Sequence, residues 1–494
     1  MMENLKDKIK EIVTDKNLYI FTIITIVFFG ALCKLQYAPD TYSVFTNDLM
    51  HSVKHFLSCG RIVTAMATYV VMGILQLSNE WTYILSYVFA MICMIIALYR
   101  LNKLIQKDVK NRIVSVIIAT LILINPFSLE LFLYIEKGIM VLSVLLCVLA
   151  VEQIDKFFQG NKKSIIWAGI LMIIANCCYQ GTVGLFVAIS LIYIIKYSKN
   201  IKEFIVNNVI VALTYGIPAV LNFLLVRFFF TNARVNGQMI FSESIKKVIV
   251  GIKRMVVDSY DLLPQYLFLA VIVIILGIII YKAIRENIST KEKSLKILGA
   301  FYLIAGTLFA TVAPQMLQDT NSIWFVARSS YPMAAIIGIL ILYLFTKFDI
   351  KEIAKNIVIA ILVVFLLIQY IYFMNYARDN YIGNYIDKQI TLEINQEILN
   401  YEEETGNIVD TIAIYRDKTP QYVYPELRAS GDINIKAYSA DWCVSRILKL
   451  YTGREFNVIE ANEEIKEQFE QKTWDYFSPE QIIFENNIMH LCVF

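Results

Sequence analysis

Charged residues are scarce in this sequence, and histidine is nearly absent. Only 18% of the 494 residues are charged, and there are three histidines, whereas about a quarter of a typical soluble domain is charged. The eight cysteines show no CxxC spacing, so neither residue type forms a metal-ligand pattern. No basic patch typical of nucleic-acid binding stands out. We therefore expect no metal site, no cofactor and no nucleic-acid partner.

Apolar residues are abundant instead. Hydrophobic residues make up 57% of the chain, Tyr and Phe number 30 each, and the mean hydropathy is +0.57. A soluble domain has too little polar surface to cover so much apolar side chain, and aromatic residues favour the membrane interface. The composition indicates a multi-pass protein in a lipid bilayer. Because the first apolar run, 18–35, is long enough to span, no cleavable signal peptide is predicted.

Long apolar runs predict eleven spanning helices. A shorter run, 62–77, is either a twelfth helix or an element along the membrane surface. The predicted spans are 18–36, 81–99, 112–126, 137–151, 164–178, 181–196, 204–226, 264–284, 297–314, 329–347 and 354–375.

Basic residues near helix ends decide between these alternatives, because short cytoplasmic loops are enriched in Lys and Arg. The amino terminus and the cluster at 100–112 are both basic. Both lie on the cytoplasmic side only if residues 37–80 form one external loop. The run 62–77 is therefore predicted to be a juxtamembrane or re-entrant element and not a span. An odd number of spans then places the carboxyl-terminal tail outside. The external loop 227–263 carries six basic residues, among them Arg234, against this rule.

The tail differs in composition from the rest of the chain. Residues 376–494 contain 21 acidic and 11 basic residues, which is typical of a soluble domain. We predict a membrane domain over 1–375 and a small extracytoplasmic α+β domain over 376–494, in which pairing of Cys443 with Cys492 is left open. The predicted tail elements are helices near 385–404 and 440–451 and strands near 408–415 and 481–488.

Polar residues collect at the external helix ends in this topology. Ionisable groups at membrane depth are costly and are usually retained for pairing or for function. Each of these polar residues also has a purely structural explanation: a solvated loop carboxylate, an arginine reaching the headgroups, a turn or a helix cap. Their convergence on one face nevertheless indicates a site. The set is Asp40, Asp48, Arg61, Asn125, Glu130, Glu136, Gln180, Arg234, Gln315 and Arg328.

Several of these residues stand in short motifs that resemble the GtrII-type glucosyltransferases, bacterial membrane enzymes related in architecture to the GT-C superfamily. The resemblance covers roughly 15–375. One departure is that the acid after Asp40 comes only at Asp48. The motifs are Asp40 just after the first helix, Gly60-Arg61, Asn125-Pro126 with Glu130 following, Tyr179-Gln180-Gly181, and Arg328 before Tyr331-Pro332.

The resemblance implies a GT-C-like all-α polytopic fold in the bacterial plasma membrane, with the amino terminus cytoplasmic. It implies transfer of a hexosyl group, glucose in this family, from undecaprenyl-phosphate sugar to an envelope polysaccharide or a teichoic-acid-like acceptor outside. Such a transfer needs a base for the acceptor hydroxyl and cations for the departing phosphate. Arginines serve in place of a metal, and attack opposite the phosphate inverts the anomeric centre.

Residue roles follow from that chemistry as hypotheses. Asp40 is the first candidate for the base, with Asp48 and Glu130 as second choices. Arg61, Arg328 and Arg234 are predicted to hold the phosphate. Gln180 is predicted to orient hydroxyls, with Asn125 and Tyr37 completing the substrate-binding set.

Two other function classes stay open. A transporter or flippase of lipid-linked sugars also needs cations in a cavity, but its polar residues are expected near the membrane midplane. A polysaccharide polymerase or ligase is likewise multi-spanning with a large external loop.

Overall fold

The computed structural model describes residues 14–230 and 240–493 of the chain, and helices dominate it. Helical turns of the 3-10 or π type connect several of the helices. The α-helices are Lys16–Phe29, Pro39–Thr46, Leu49–Ser58, Ile62–Thr68, Asn79–Ile105, Arg112–Leu123, Lys137–Phe158, Ser164–Cys178, Gly184–Tyr197, Ile201–Phe229, Phe241–Lys253, Leu267–Arg285, Thr290–Val312, Ala327–Ala334, Ile336–Lys347, Glu352–Thr405, Asp441–Thr452 and Glu463–Phe469.

Within the described residues, nine helices are long and apolar enough to cross a membrane, and a tenth span results if one bent pair is counted. All nine coincide with predicted spans, which supports the polytopic fold. The predicted span 164–178 forms a shorter apolar helix, Ser164–Cys178, and 62–77 contains another, Ile62–Ile74. The count of eleven stays a prediction.

The bent pair has a cause in its sequence. Arg112–Leu123 and the 3-10 helix Pro126–Phe132 meet at 57°. Pro126 has no N–H to continue a helical ladder, and Asn125 accepts a hydrogen bond from the backbone N–H of Phe127 at 3.1 Å. The Asn-Pro step therefore ends one helix and caps the next, which turns the chain inside the bundle.

Basic helix ends meet at one end of the bundle. The ammonium of Lys196 lies 2.7 Å from Asp108, and that of Lys107 lies 2.6 Å from Asp155. Arg112 donates to the Asn17 side chain at 2.7 Å. These pairs hold several basic helix ends together at one end of the bundle, and the side of the membrane that this end faces stays a prediction.

A single helix, Glu352–Thr405, connects the bundle to the tail without interruption across residue 376. At 1.5 Å per residue its 54 residues extend about 80 Å, more than twice a hydrocarbon core of roughly 30 Å. The remaining residues, 406–493, form a cap against its far half.

The cap contains a four-stranded sheet in the order β2-β1-β4-β3, whose strands are Thr411–Tyr415 (β1), Asn457–Ile459 (β2), Ile482–Glu485 (β3) and Ile488–Cys492 (β4). β1 pairs in parallel with β2 and β4, and β3 and β4 form an antiparallel hairpin. The predicted strand 408–415 contains β1, and the predicted helix 440–451 matches Asp441–Thr452. The single strand predicted at 481–488 is wrong, because this segment contains all of β3, the turn at 486–487 and the first residue of β4.

The core of the cap includes a residue from the beginning of the chain. Tyr42, in the helix after the first span, is fully buried among cap residues, and the Cys443 thiol contacts the Pro39 carbonyl at 3.8 Å. Cys443 and Cys492 lie in different hydrophobic clusters, so no disulfide joins them in the described structure. The cap and the membrane bundle are therefore packed together around residues 39–46.

Candidate functional site

A cavity of about 560 Å³ lies between the cap and the bundle, at the end opposite the basic helix ends. It brings together side chains that are far apart in sequence, and it has a polar end and an apolar wall. Its polar and aromatic lining includes Asp40, Arg61, Tyr134, Asn176, Tyr179, Gln180, Asn222, Gln315, Trp324, Arg328, Asp432 and Trp442.

Arg328 is held at the polar end by Glu130 and Tyr134 of the bundle and by Asp432 of the cap. Its Nη1 atom forms an ion pair with Glu130 and donates to the Tyr134 hydroxyl at 2.5 Å. Its backbone N–H also donates to Glu130, at 2.6 Å, and its guanidinium lies 4.3 Å from the centroid of the Tyr134 ring. Glu130 is only 1% exposed, so its carboxylate is engaged in fixing Arg328.

Asp432 reaches Arg328 from the cap. Its Oδ2 atom accepts from Arg328 Nη2 at 2.8 Å, and its side chain stays 25% exposed. The loop that carries it is tied to the long helix, because the Asn434 side chain donates to the Tyr376 carbonyl at 3.2 Å and accepts from Asn380 at 2.8 Å. The cap thus contributes a carboxylate to a cavity built mostly by the bundle.

Arg61 is the second cation of the cavity. Its Nη1 atom donates to Glu136 at 3.1 Å, and its guanidinium lies 4.8 Å from the centroid of the Tyr179 ring. Burial raises the pKa of Glu136, while the charge of Arg61 acts in the opposite direction. The Nε atom of Arg61 is buried and has no hydrogen-bond partner among the described residues. Because an unsatisfied buried donor is costly, an acceptor from a ligand is favoured there.

Asp40 lines the same cavity from the helix Pro39–Thr46. Pro39 occupies the first turn of that helix, where its missing N–H costs nothing and its fixed φ favours the helical start. The Asp40 side chain is exposed, in contrast to buried Glu130. Of the three predicted catalytic acids, Asp40 is the one that is accessible from the cavity.

Gln180 connects the cavity to the helix Ile201–Phe229. Its amide donates to the Cys59 carbonyl and to the Asn222 side chain, each at 3.1 Å. Asn222 in turn donates to the Gly60 carbonyl at 2.8 Å. Gln180 therefore lies in the cavity as predicted, but its amide hydrogens already serve to hold Asn222 next to the Gly60-Arg61 step.

The apolar wall is formed by the helix Ile201–Phe229, which has few buried residues. One side of this helix faces the cavity, and leucines and isoleucines on other sides are about half exposed. Pro218 lies inside the helix and removes one of its backbone hydrogen bonds. The cavity residues of this wall are Tyr215, Gly216, Ala219, Val220, Phe223 and Val226.

Other predicted site residues lie elsewhere. Asp48 is exposed at the start of the helix Leu49–Ser58 and is not among the described residues that line the cavity. Asn125 is fully buried as a helix cap, and its amide donates to the Tyr331 carbonyl at 3.3 Å. Tyr37 packs edge-on against Tyr42, with ring centroids 5.6 Å apart. Arg234 lies outside the described residues.

Sequence reasoning missed the contribution of the cap. Asp432 and Trp442 belong to a region predicted only as a soluble tail, and no local pattern connects them with Arg328. Tyr134 could have been predicted from the sequence, because it follows Glu130 by four residues in the same short segment before the span Lys137–Phe158.

Comparisons with known proteins add no family to this geometry. A scan against protein-family models found no matching family, and searches of curated proteins and of solved structures found no match either.

Proposed function

We propose that this cavity transfers a hexosyl group from a polyprenyl-phosphate sugar to a glycan acceptor of the bacterial envelope, as the resemblance to GtrII-type enzymes implies. The observation that carries the proposal is that Arg61, Arg328 and accessible Asp40 line one cavity whose other wall is apolar. A lipid-linked sugar also has a polar part and an apolar part: an anionic phosphate with its sugar, and a long hydrocarbon tail.

The two guanidiniums suit the phosphate. Contacts with described residues account for three of the five N–H donors of Arg328, and the Nε of Arg61 is unsatisfied. Planar guanidinium groups bind phosphate oxygens in pairs. As the bond to the sugar breaks, negative charge grows on the phosphate, and cations fixed beforehand by Glu130 and Glu136 stabilise it without reorganisation.

Asp40 is assigned as the general base. The acceptor hydroxyl oxygen attacks the anomeric carbon, the bond from that carbon to the phosphate oxygen breaks, and the lipid phosphate leaves with the electron pair. The hydroxyl proton passes to the Asp40 carboxylate. Attack from the face opposite the phosphate inverts the anomeric centre, and no metal is needed in this scheme. Glucose is the proposed sugar.

Glu130 has a positioning role in this proposal, because its carboxylate is buried against Arg328. Asp48 has no role, because it lies away from the cavity. The cavity end of the bundle is assigned to the outer face, with the amino terminus and the basic helix ends in the cytoplasm and the fold of GT-C type.

The test is a transfer assay with purified protein in detergent, a radiolabelled polyprenyl-phosphate hexose and envelope polysaccharide as acceptor. We expect Asp40→Asn to lower the transfer rate by about 10²-fold or more, because that is the usual contribution of a general base. Asp48→Asn is the matched control, since it makes the same change in the same external segment, and its rate should stay close to wild type.

Wild-type rates in Asp40→Asn would contradict the assignment of the base. A flippase is distinguished in proteoliposomes, where it moves the lipid-linked sugar across the bilayer and leaves the sugar phosphate bond intact. A polymerase or ligase is distinguished by the product, which grows by repeat units instead of gaining single hexoses.

A further inference from the structure

A second, smaller pocket lies in the cap, against the far half of the long helix. Its volume is about 240 Å³, below the roughly 300–1,000 Å³ typical of pockets for drug-sized ligands, so it suits one ring-sized group. Aromatic side chains dominate its lining, among them Tyr385 from the long helix and Trp474 and Tyr476 from the cap. Tyr385 and Tyr476 are 58% and 70% exposed, which leaves their ring faces accessible.

A buried cation also lines this pocket. Lys436 is only 7% exposed, and its ammonium makes no hydrogen bond or ion pair with the described residues; it lies 5.0 Å from the centroid of the Tyr424 ring. Asp387 is nearby, but its carboxylate accepts from the Tyr424 hydroxyl at 2.7 Å and from the Ala437 N–H at 3.2 Å. Burial lowers the pKa of Lys436.

The charges of Asp387, Asp417 and Glu426 favour the charged ammonium, but none of these carboxylates forms an ion pair with it, so its N–H donors are open to an oxygen acceptor in the pocket. The remaining polar groups of the pocket are two side-chain amides, two exposed carboxylates and two buried tyrosine hydroxyls: Gln389, Gln481, Glu393, Asp475, Tyr424 and Tyr438. Exposed ring faces, one cation and a few hydrogen-bonding groups at the edge together match a sugar ring, which has apolar C–H faces and hydroxyls around its rim.

We propose that this pocket binds a saccharide unit of the acceptor glycan, with its ring against Tyr385, Trp474 and Tyr476 and an oxygen accepting from Lys436. This inference rests on the proposed function for the identity of the glycan as acceptor. The same arrangement gives the pocket specificity for a hydroxyl or an anionic group at the position that faces the ammonium.

Two consecutive residues connect the pocket with the cavity that contains Asp40 and Arg328. Ile435 lines the cavity, and the next residue, Lys436, lines the pocket. Ile435 forms an antiparallel bridge with Val423, and successive side chains of extended backbone point to opposite sides. The cavity and the pocket therefore lie on opposite sides of one extended segment of the cap.

The experiment measures saccharide binding separately from transfer. Full-length protein in detergent is titrated with maltotriose, with chitotriose and with a glycerol-phosphate hexamer, and binding is followed by saturation-transfer-difference NMR. We expect at least one of these probes to bind the wild type, and Lys436→Met and Tyr476→Ala each to weaken that binding by at least tenfold. Lys466→Met is the matched control, because it removes a partly exposed lysine of the same cap that lies outside the pocket, and it should bind like wild type.

The outcomes separate this site from the proposed function. Asp40→Asn should keep saccharide binding while losing transfer. The inference is overturned if none of the three probes binds the wild type, or if Lys436→Met and Tyr476→Ala bind as wild type does. Transfer without binding in the pocket overturns the pocket alone, whereas binding that depends on Lys436 in a protein without transfer supports the pocket and overturns the transferase proposal. Tyr476 is largely exposed and methionine retains the length of Lys436, so both variants should fold.

Discussion

Lys137 occupies an unusual place at the start of the span Lys137–Phe158. Its side chain is fully buried, and its ammonium has no hydrogen-bond partner among the described residues. The ammonium lies 3.4 Å from the centroid of the Tyr83 ring, an attraction that reaches about 2 kcal/mol at a desolvated site. A buried charge without an ionic partner costs several kcal/mol, so the ring contact offsets only part of that cost.

We therefore expect Lys137→Met to raise the free energy of unfolding by about 1–4 kcal/mol, the range found when buried ion pairs are replaced by apolar side chains of similar volume. Thermal unfolding in detergent measures the change. Lys156→Met, which removes an exposed lysine at the other end of the same helix, should leave the stability nearly unchanged. A loss of stability in Lys137→Met alone would mean that the ammonium makes a contact worth more than its desolvation.

Individual residues of the site could be predicted from the sequence where a charged or polar side chain lies at the end of a predicted helix. Asp40, Arg61, Gln180 and Arg328 were predicted together because the Lys/Arg rule and the apolar runs fix which helix ends share a face, and all four line the cavity. Asp432 was not predictable, since its partner Arg328 is separated from it by 104 residues and a solvated acid in a tail has the same local sequence.

Among the connecting elements, the turn at Gly60 joins two short helices and touches the apolar wall. Gly60 has φ +72, and a Cβ atom there would lie 2.5 Å from the Asn222 side chain and 2.8 Å from that of Val226. Its neighbour Arg61 and the helix Ile201–Phe229 are therefore positioned by a residue that has no side chain.

Gly60→Ala should lower stability by about 1–3 kcal/mol, as overpacking does, and should also reduce transfer because Arg61 moves with the turn. Thermal unfolding and the transfer assay measure the two effects. Gly453→Ala is the control: Gly453 has φ +75 but no atom within 4 Å of its added Cβ, so it reports the backbone cost alone. Equal losses in both variants would show that the contact with Asn222 contributes nothing.

Elements were predicted well where length or a breaking residue defines them. The span predicted from the apolar run 112–126 forms the helix Arg112–Leu123, which ends three residues earlier because the Asn125-Pro126 step breaks it. The change in composition at 376 placed a domain boundary there, yet the helix Glu352–Thr405 continues through it. The composition of a segment indicates whether lipid or water surrounds it. It does not mark the end of a helix, because a helix can pass from lipid to water without a break.

At the scale of the whole molecule, the proposal requires the cap and the basic helix ends to face opposite sides of the membrane. Glu460 is exposed in the cap, and Lys163 is exposed between two helices at the basic end. In a background with Cys33 and Cys59 replaced by serine, Glu460→Cys should react with a membrane-impermeant maleimide in intact cells. Lys163→Cys should react only after permeabilisation. The reverse pattern would invert the orientation, and labelling of both positions in intact cells would contradict the spanning arrangement.

The burial of Tyr42 in the cap has a consequence for the order of synthesis. The helix that contains it is made early, whereas the cap that covers it comes from the last part of the chain, roughly 400 residues later. At about 5–20 residues per second, the tyrosine waits for roughly 20–80 seconds before its neighbours exist. The cavity between the cap and the bundle is consequently the last part of the protein to close, and a chain that stops short of the cap lacks Asp432.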